Sequence, residues 1–205
     1  MQYIELRDRL RDFLVFSVSD IRKIDSDFHL QRLSEWQDKG YIKKIINEYY
    51  IFSDTRVDEN FLFLIANTIY QPSYVSSEMA LSYYGLIPES VYSVTSVSSR
   101  TTRTVSSEIA TFSYRKMKPE LLFGYALVSF SGHSFKIAEV EKAIADFLYF
   151  HRDISSKEAV DGLRINRDIL LERVDVEKFR NYIAQFHNKA LQKRADIFCK
   201  TLSIC

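Results

Sequence analysis

The sequence predicts an α+β protein, because helical and strand-like patterns occupy separate stretches of its 205 residues. Residues 16–52 have the pattern of two helices followed by a β-hairpin. Residues 91–135 are rich in Val, Thr, Ser, Tyr and Phe, which favours a small sheet of three to five strands. Apolar residues return at helical spacing from residue 140 onward, so the C-terminal part is expected to be helical.

The first helix in residues 16–52 is predicted from a capping pattern. Ser17 is followed three residues later by Asp20, which is a weak form of the capping box. Val18, Ile21 and Ile24 then recur at helical spacing. These three side chains are therefore expected to face the core.

A second helix is predicted to begin at Ser26 and Asp27 and to stop before Gly40, because these residue types favour the two ends of a helix. Its core-facing residues are expected at every third position: Leu30, Leu33 and Trp36. At about 100° per residue, the opposite side carries Phe28, Gln31, Arg32, Glu35 and Lys39.

A tight hairpin completes this unit. The apolar residues Ile42, Ile45 and Ile46 lead to Asn47-Glu48, after which residues 49–52 (YYIF) return. Two helices followed by a hairpin make a winged helix-turn-helix, which we assign to residues 1–56. Such a unit places its second helix in the major groove of DNA and its wing against phosphate.

The predicted DNA-binding residues lie on these helices and on the wing. Gln31 and Arg32 are expected to read bases or phosphates, and the three lysines after them are expected to neutralise phosphates. Arg22 and Lys23 would brace the first helix against the DNA backbone. The full predicted set is Arg22, Lys23, Gln31, Arg32, Lys39, Lys43 and Lys44.

The charge of residues 1–56 favours an alternative. Ten Lys plus Arg are matched by ten Asp plus Glu, whereas a DNA-binding unit is usually basic. Glu35 and Asp38 on the outward face would repel phosphate. The winged helix could therefore be a scaffold in a protein-interaction module.

Residues 57–205 are predicted to form the mixed α+β domain, with a connecting helix within residues 57–73. A short helix over residues 76–86 is expected before the sheet. The run LLFGYALVSF at residues 121–130 has the pattern of a buried strand.

Three helices are predicted after the sheet. The first includes Val140, Ala143, Ile144, Phe147 and Leu148, with Glu141, Lys142 and Asp146 turned to solvent. A short helix capped by Ser155 or Ser156 follows and reaches Gly162. One long helix over residues 175–198 is expected to end the fold, with its apolar stripe buried.

Composition indicates a folded, soluble protein, since 46% of the residues are hydrophobic and no apolar run is long enough to span a bilayer. Cys199 and Cys205 lack flanking ligands, so neither a disulfide framework nor a zinc site is predicted. These patterns are typical of a protein of the reducing cytoplasm.

A set of short motifs runs through residues 74–125: Tyr74-Val75-Ser76, Glu78, Ala80-Leu81, residues 84–88 (YGLIP), Arg100, Arg103, residues 111–114 (TFSY) and Phe123-Gly124-Tyr125. Together they resemble the central signature of AbiEi-type antitoxins, the transcriptional regulators of abortive-infection systems. Residues 138–148 (AEVEKAIADFL) resemble the family's Glu-Lys-Ala helix, with Val140 where a proline is common. The resemblance covers roughly residues 10–150.

The resemblance implies a two-part protein. Its N-terminal unit would repress the promoter of its own operon by binding double-stranded DNA. The remainder would counteract a nucleotidyltransferase-like toxin, in many members without a stable complex. The family's DNA-reading positions fall on Gln31, Arg32 and the wing lysines.

A basic patch is predicted in the second part. Residues 100–118 carry five cations against one acid, Glu108, which gives a net charge of +4. The cations could line one side of the sheet and contact nucleic acid or a partner protein, or they could pair with surface acids. They are Arg100, Arg103, Arg115, Lys116 and Lys118.

No catalytic pattern is present in the sequence. His29, His133, His151 and His187 fall in different predicted elements without paired spacing, and no nucleophile elbow or phosphate-binding glycine loop occurs. We therefore expect a protein that is not an enzyme and that needs neither a cofactor nor a metal.

Overall fold

The protein is an α+β protein in the computed structural model, which describes residues 1–88 and 93–204. Ten α-helices and nine strands lie within these residues, and the strands form one three-stranded and one six-stranded sheet. The first two residues of the predicted strand beginning at residue 91 lie outside the described residues, and so does Cys205.

The N-terminal part contains three helices and the smaller sheet, with strand order β1-β3-β2 and antiparallel pairing throughout. Strand β1 was not predicted from the sequence. In chain order the elements are α1 (Tyr3–Arg9), β1 (Phe16–Ser17), α2 (Val18–Ile24), α3 (Gln31–Asp38), β2 (Ile42–Ile46) and β3 (Tyr49–Phe52).

Helix α2 and the hairpin follow the local signals in the sequence. The Ser17 and Asp20 side chains form both bonds of the capping box at the start of α2. The hairpin turns at Asn47 and Glu48, and Glu48 takes a left-handed backbone conformation with φ of 71°. A bulge between Lys44 and Ile46 shifts the register of the hairpin.

The six-stranded sheet has the order β6-β7-β5-β4-β9-β8, and parallel pairs join β5 to β7 and β4 to β9. The segment predicted to form three to five strands supplies five of the six, and the sixth, Ser73–Val75, precedes it in the chain. Helix α4 (Glu59–Ile69) precedes the first strand of this sheet, and helix α5 (Ser77–Tyr83) follows that strand. The six strands are β4 (Ser73–Val75), β5 (Ser93–Ser98), β6 (Arg103–Ser106), β7 (Thr111–Lys116), β8 (Tyr125–Phe130) and β9 (His133–Ala138).

The predicted buried strand at residues 121–130 differs from the structure in extent and position. Its start lies in a short 3₁₀ helix, Pro119–Leu121, and only β8 is extended. Strand β8 ends the sheet, where exposed and half-buried residues alternate along it. It is thus an edge strand rather than a central one.

Five helices complete the chain, and the predicted single helix over residues 175–198 is wrong. It is divided at residues 186–188, where His187 has a φ of 47° and the Asn188 side chain accepts bonds from Ala190 N and Leu191 N. Asn188 thereby caps a new helix. The five are α6 (Val140–Phe150), α7 (Lys157–Gly162), α8 (Arg167–Arg173), α9 (Val176–Gln185) and α10 (Lys189–Leu202).

Two clusters of buried apolar side chains hold these elements together. The smaller cluster lies among α1, α2, α3 and the small sheet, around Leu6, Phe16 and Trp36. The larger cluster spans α4 to α10 and also includes Ile45 and Ile51 of the hairpin. The hairpin therefore contributes apolar side chains to both cores.

None of the helices in the described part of the chain is long and apolar enough to cross a membrane. Cys199 is buried in α10 and is disulfide-bonded, a bond that the sequence analysis did not predict.

Candidate functional site

Helix α3 begins later than the sequence interpretation placed it, although Leu33 and Trp36 are buried as expected. Leu30 was expected in the core, yet it is 45% exposed and precedes the first turn of the helix. Phe28 was expected outside, yet it is buried against Trp36, with ring centroids 5.5 Å apart. The reason is that residues 25–28 form a turn, with Phe28 N donating to the Asp25 carbonyl, so the helix begins at Gln31 and not at Ser26.

The C-terminal end of α3 is fixed by a Schellman motif. Tyr41 N donates to the Trp36 carbonyl, and Gly40 N donates to the Gln37 carbonyl, both at 2.8 Å. Gly40 has a φ of +68°, the left-handed conformation that this motif requires. The motif sets the direction in which the chain enters β2.

The two predicted reading residues on α3 differ in availability. Gln31 is exposed on the first turn. Arg32 is half-buried, and its Nη1 donates to the Met1 carbonyl, so its guanidinium group is engaged within the protein. Between these two residues, Gln31 is the one open to a ligand in this conformation.

The other predicted cations of residues 1–56 fall into two groups. Lys23 is exposed but forms an ion pair with Asp20 at 2.9 Å, beside the exposed Arg22. Lys39, Lys43 and Lys44 are exposed and form no ion pair within the described residues. The second group follows α3 directly and continues along β2, so its three cations lie close together in the chain.

Two of these lysines line a cleft that also includes the larger sheet. Its volume is about 970 Å³, and it lies between β2 and the turn region around β6. Lys43, Lys44 and Arg103 supply positive charge, whereas Asp38 and Glu108 supply negative charge. The hairpin and the edge of the six-stranded sheet therefore form one open, mixed-charge surface.

The predicted basic patch is divided and does not line one side of the sheet. Arg100 and Arg103 are exposed near the Tyr70 ring, with guanidinium carbons 4.5 and 5.9 Å from its centroid. Arg115 instead donates to Glu78 of α5 at 3.2 Å. Residues adjacent on a strand point to opposite faces, and Arg115 follows Tyr114, which lies beside Tyr70.

Lys116 and Lys118 lie at and beyond the end of β7. Both are exposed, and Lys118 is 3.8 Å from Glu120 in a surface ion pair. Surface pairs of this kind contribute little to stability.

Arg115 belongs to a small cluster with Glu78 and His151. His151 Nε2 lies 2.5 Å from Glu78 Oε1, and the His151 ring stacks on Phe147. Burial opposes ionisation of Glu78 most strongly, but hydrogen bonds to its carboxylate, above all that with His151, together with a smaller effect of the Arg115 charge, outweigh it and lower the pKa of Glu78 to about 2. The other histidines, His29, His133 and His187, are exposed and lie apart from this cluster.

The strongest departure from the sequence interpretation is on α6. Glu141, Lys142 and Asp146 were expected in solvent, yet all three are buried. The sequence interpretation failed because α6 is enclosed by α5, α9, α10 and strand β9, and nine consecutive residues of α6 are buried. A helix enclosed in this way has no solvent-facing side.

Lys142 and Asp146 form a fully buried ion pair one turn apart on α6. Lys142 Nζ also donates to Tyr74 Oη at 2.8 Å, and Tyr74 Oη in turn donates to Asp146 Oδ2 at 2.8 Å. Ser76 Oγ donates to the same carboxylate oxygen at 2.7 Å. Burial lowers the pKa of Lys142 while Asp146 opposes that shift, and burial beside Asp146 raises the pKa of Tyr74 well above its usual value.

The surroundings of this network are aromatic and closed. Lys142 Nζ lies about 5 Å from the ring centroids of Phe123 and Phe186, at 4.9 and 5.0 Å. The backbone of Gly124 lies close to both Tyr182 and Lys142. A Cβ at this position would lie 3.0 Å from the Tyr182 ring and 3.2 Å from Lys142 Cβ, so a side chain there would be too tight. Both charges are fully enclosed, so the network has the geometry of a structural element rather than of a substrate site.

Glu141 connects α6 to the start of α9 in the same region. Its Oε1 accepts a bond from Asp175 N at 2.9 Å, and its Oε2 lies 3.4 Å from Lys178 Nζ. Each buried charge on α6 therefore has a partner on another element or on α6 itself. Among the described residues, no group of three His, Cys, Asp or Glu side chains is arranged to hold a metal ion.

No protein-family model matches the chain, and no curated protein matches it.

Breaking the buried ion pair should lower the stability of the protein strongly, and the effects of the two single substitutions should not add. Lys142→Met leaves Asp146 buried without its cation, and Asp146→Asn leaves Lys142 without its anion, so each should lower the free energy of unfolding by about 3–5 kcal/mol. The double variant should cost clearly less than the sum of the two. Urea unfolding of the four proteins measures this coupling. Lys118→Met, in an exposed pair, is the control and should cost less than about 1 kcal/mol; single α6 variants with costs that small would contradict the assignment.

Glu78 predicts a stability difference that depends on pH. A lowered folded-state pKa contributes stability that is present above the unfolded pKa of 4.5 and is lost as pH falls towards about 2. Wild type should therefore exceed Glu78→Gln by about 2–3 kcal/mol near pH 5.5, and the difference should shrink steadily towards pH 2. Denaturant unfolding at several pH values tests this, with exposed Glu120→Gln as the control. A Glu78→Gln difference that stays constant over this range would contradict the prediction.

Proposed function

We propose that residues 1–56 form a winged helix-turn-helix that binds double-stranded DNA, and that the protein is an autoregulator and antitoxin of a toxin-antitoxin operon. The order of α1, β1, α2, α3 and the β2–β3 hairpin, with one antiparallel three-stranded sheet, supports the first part of this proposal. Resemblance of residues 74–125 to AbiEi-type antitoxins supports the second part.

The observation that carries the DNA-binding proposal is the open side of α3. Its first turn exposes Gln31, and the residues after its last turn bring the unpaired Lys39, Lys43 and Lys44 alongside. A helix that enters the major groove needs an uncovered first turn for base edges and nearby cations for phosphates. Arg32 is held by the Met1 carbonyl, so we propose Gln31 as the base-reading residue and the three lysines as phosphate contacts.

The uneven distribution of unpaired cations compensates for the neutral total charge of residues 1–56. Several of their cations already have carboxylate partners: Arg7 with Asp54, Arg9 with Glu5, and Lys23 with Asp20. Neutralisation of this kind removes charge from α1 and from Lys23 of α2, while the lysines of β2 stay free. Positive potential is then concentrated at the hairpin, where a wing meets the DNA backbone.

A gel-shift or anisotropy titration against the DNA upstream of the gene tests the proposal. Lys43→Ala with Lys44→Ala should weaken binding and lower the slope of log K against log salt by about 2, because each lost phosphate contact removes about one counterion. Gln31→Ala should reduce the preference for the upstream duplex over an unrelated duplex, with little change in the salt slope.

The matched control removes two charges from a distant helix. Lys189→Ala with Lys193→Ala takes two exposed lysines from α10 and should leave both affinity and salt slope close to wild type. Wild type that binds no DNA at low salt, or equal losses in the α10 and hairpin variants, would refute the DNA-binding proposal.

As an antitoxin, the protein would counteract a nucleotidyltransferase-like toxin from the same operon. Growth rescue on co-expression with the product of the adjacent gene tests it directly. Point variants are preferable to removal of residues 1–56 in this assay, because Ile45 and Ile51 belong to the larger core and their loss would disturb it.

The second candidate function is a protein-interaction module in which the N-terminal unit is only a scaffold. Exposed Glu35 and Asp38 on α3 favour it, since they oppose phosphate. Arg100 and Arg103, on the outer part of the sheet beside Tyr70, would then contact the partner protein. Copurification with the adjacent gene product, together with absence of DNA binding, would favour this candidate.

A further inference from the structure

The two sheets present four outer strands: β1 and β2 end the small sheet, and β6 and β8 end the large one. An outer strand carries unpaired backbone N–H and C=O groups, which can pair with another chain. Proteins block such pairing by short edges or by charged side chains on the edge. The four strands can therefore be compared by length and charge.

Three of the four edges carry one of these protections. Strand β1 has only two residues. Strand β2 carries Lys43 and Lys44, both exposed. Strand β6 begins with exposed Arg103 and has four residues. If β2 met its own copy, its lysines would lie across or close to the two-fold axis, which is destabilising. Strand β6 offers a shorter ladder of four residues.

Strand β8 has neither protection. Its six residues, YALVSF, include no charge, no Pro and no Gly. Leu127 at its centre is 66% exposed, and Tyr125 is 36% exposed. Among the described residues, the backbone of Tyr125–Phe130 pairs only with β9, so its outer edge is open. It is thus a long, uncharged and partly apolar edge strand.

We propose that β8 is a dimer interface, in which it pairs antiparallel with β8 of a second copy of this chain. Length and charge favour this occupant: β8 is the longest of the four outer strands, and it can pair with its own copy without placing like charges across the two-fold axis. The two six-stranded sheets then join into one continuous sheet across the two-fold axis.

The symmetry also determines which residues meet. A two-fold axis perpendicular to the sheet keeps the two faces of each copy aligned, so opposed residues come from the same face. The register centred on Leu127 places Leu127 against its own copy and Tyr125 against Ser129. The pair at the axis would be the most exposed apolar side chain of the strand.

The cation nearest to this axis lies one strand away from β8. Lys136 lies on β9 opposite Leu127, and its Nζ is 5.1 Å from the centroid of the Tyr125 ring. In the dimer, β9 and its copy are separated by three strand spacings, about 14 Å, which exceeds the screening length of about 8 Å at physiological salt. Repulsion between the two Lys136 side chains is therefore small.

Sedimentation velocity and light scattering over a concentration series test the proposal without nucleic acid, so the outcome is independent of DNA binding. Wild type should show a mass that rises with concentration from one 24.1 kDa chain towards two. Leu127→Lys places a charge at the axis and should raise the dimer Kd by roughly a hundredfold or more. Ser129→Lys, at another exposed site on β8, should weaken the dimer in the same direction.

Leu171→Lys is the matched control, because Leu171 is also an exposed leucine, 56% exposed, but lies on α8. It should dimerise like wild type, and circular dichroism should show all four proteins folded. A wild type that stays monomeric over the whole series would overturn the proposal. Variants of β8 that dimerise as strongly as wild type would also overturn it, since the interface would then lie elsewhere.

Discussion

The buried ion pair between Lys142 and Asp146 is the constraint on which the larger part of the structure depends. Two charges removed from water are tolerated only when every lone pair and proton has a partner. Here those partners come from separate elements: Tyr74 from β4, Ser76 from the turn before α5, and the aromatic rings of Phe123 and Phe186. Sheet and C-terminal helices must therefore be in place together.

Other charges strengthen the same arrangement at both ends of α6. Near its start, Glu141 binds the first turn of α9 through Asp175 N and approaches Lys178. Near its end, the buried Arg194 of α10 donates to the Leu148 carbonyl, one of the last four carbonyls that a helix leaves unsatisfied. Burial lowers the pKa of Arg194, and this hydrogen bond gives its guanidinium a partner. The helix is thus fixed along its length by polar contacts as well as by apolar packing.

This use of charge has a consequence for function. In the larger part, cations such as Lys142, Arg115 and Lys178 are committed to carboxylates within the protein. Other cations stay open to a ligand, and those of β2 line a common surface with Arg103 on the facing edge. A charge-neutral chain can in this way leave several cations unpaired at one place on its surface.

Local signals in the sequence predicted the parts of the fold that local interactions decide. The capping box at Ser17, the hairpin at Asn47 and Glu48 and the helix after Asp58 are of this kind. Phe28 is buried and Leu30 is exposed, the reverse of the prediction, because a turn within residues 25–28 moves the start of α3 to Gln31. The spacing of apolar residues alone does not reveal such a turn.

The charges of α6 were misplaced for a different reason. Their burial depends on helices that follow 30 to 50 residues later in the chain, so no window around Lys142 contains the cause. The divided basic patch is similar, since only the pairing of β7 with β5 and β6 shows that Arg115 points away from Arg103. In the candidate DNA surface, the sequence indicated Gln31 and the wing lysines, but not that Arg32 is engaged by Met1.

The most direct measurement of the central claim is a two-dimensional ¹H–¹⁵N spectrum of the protein titrated with its upstream duplex at low salt. We expect the largest shift changes at the amides of residues 29–34 and of β2, because this is where an exposed helix start and free lysines lie together. Changes confined to the six-stranded sheet or to α7–α10, or no change at all, would contradict the account.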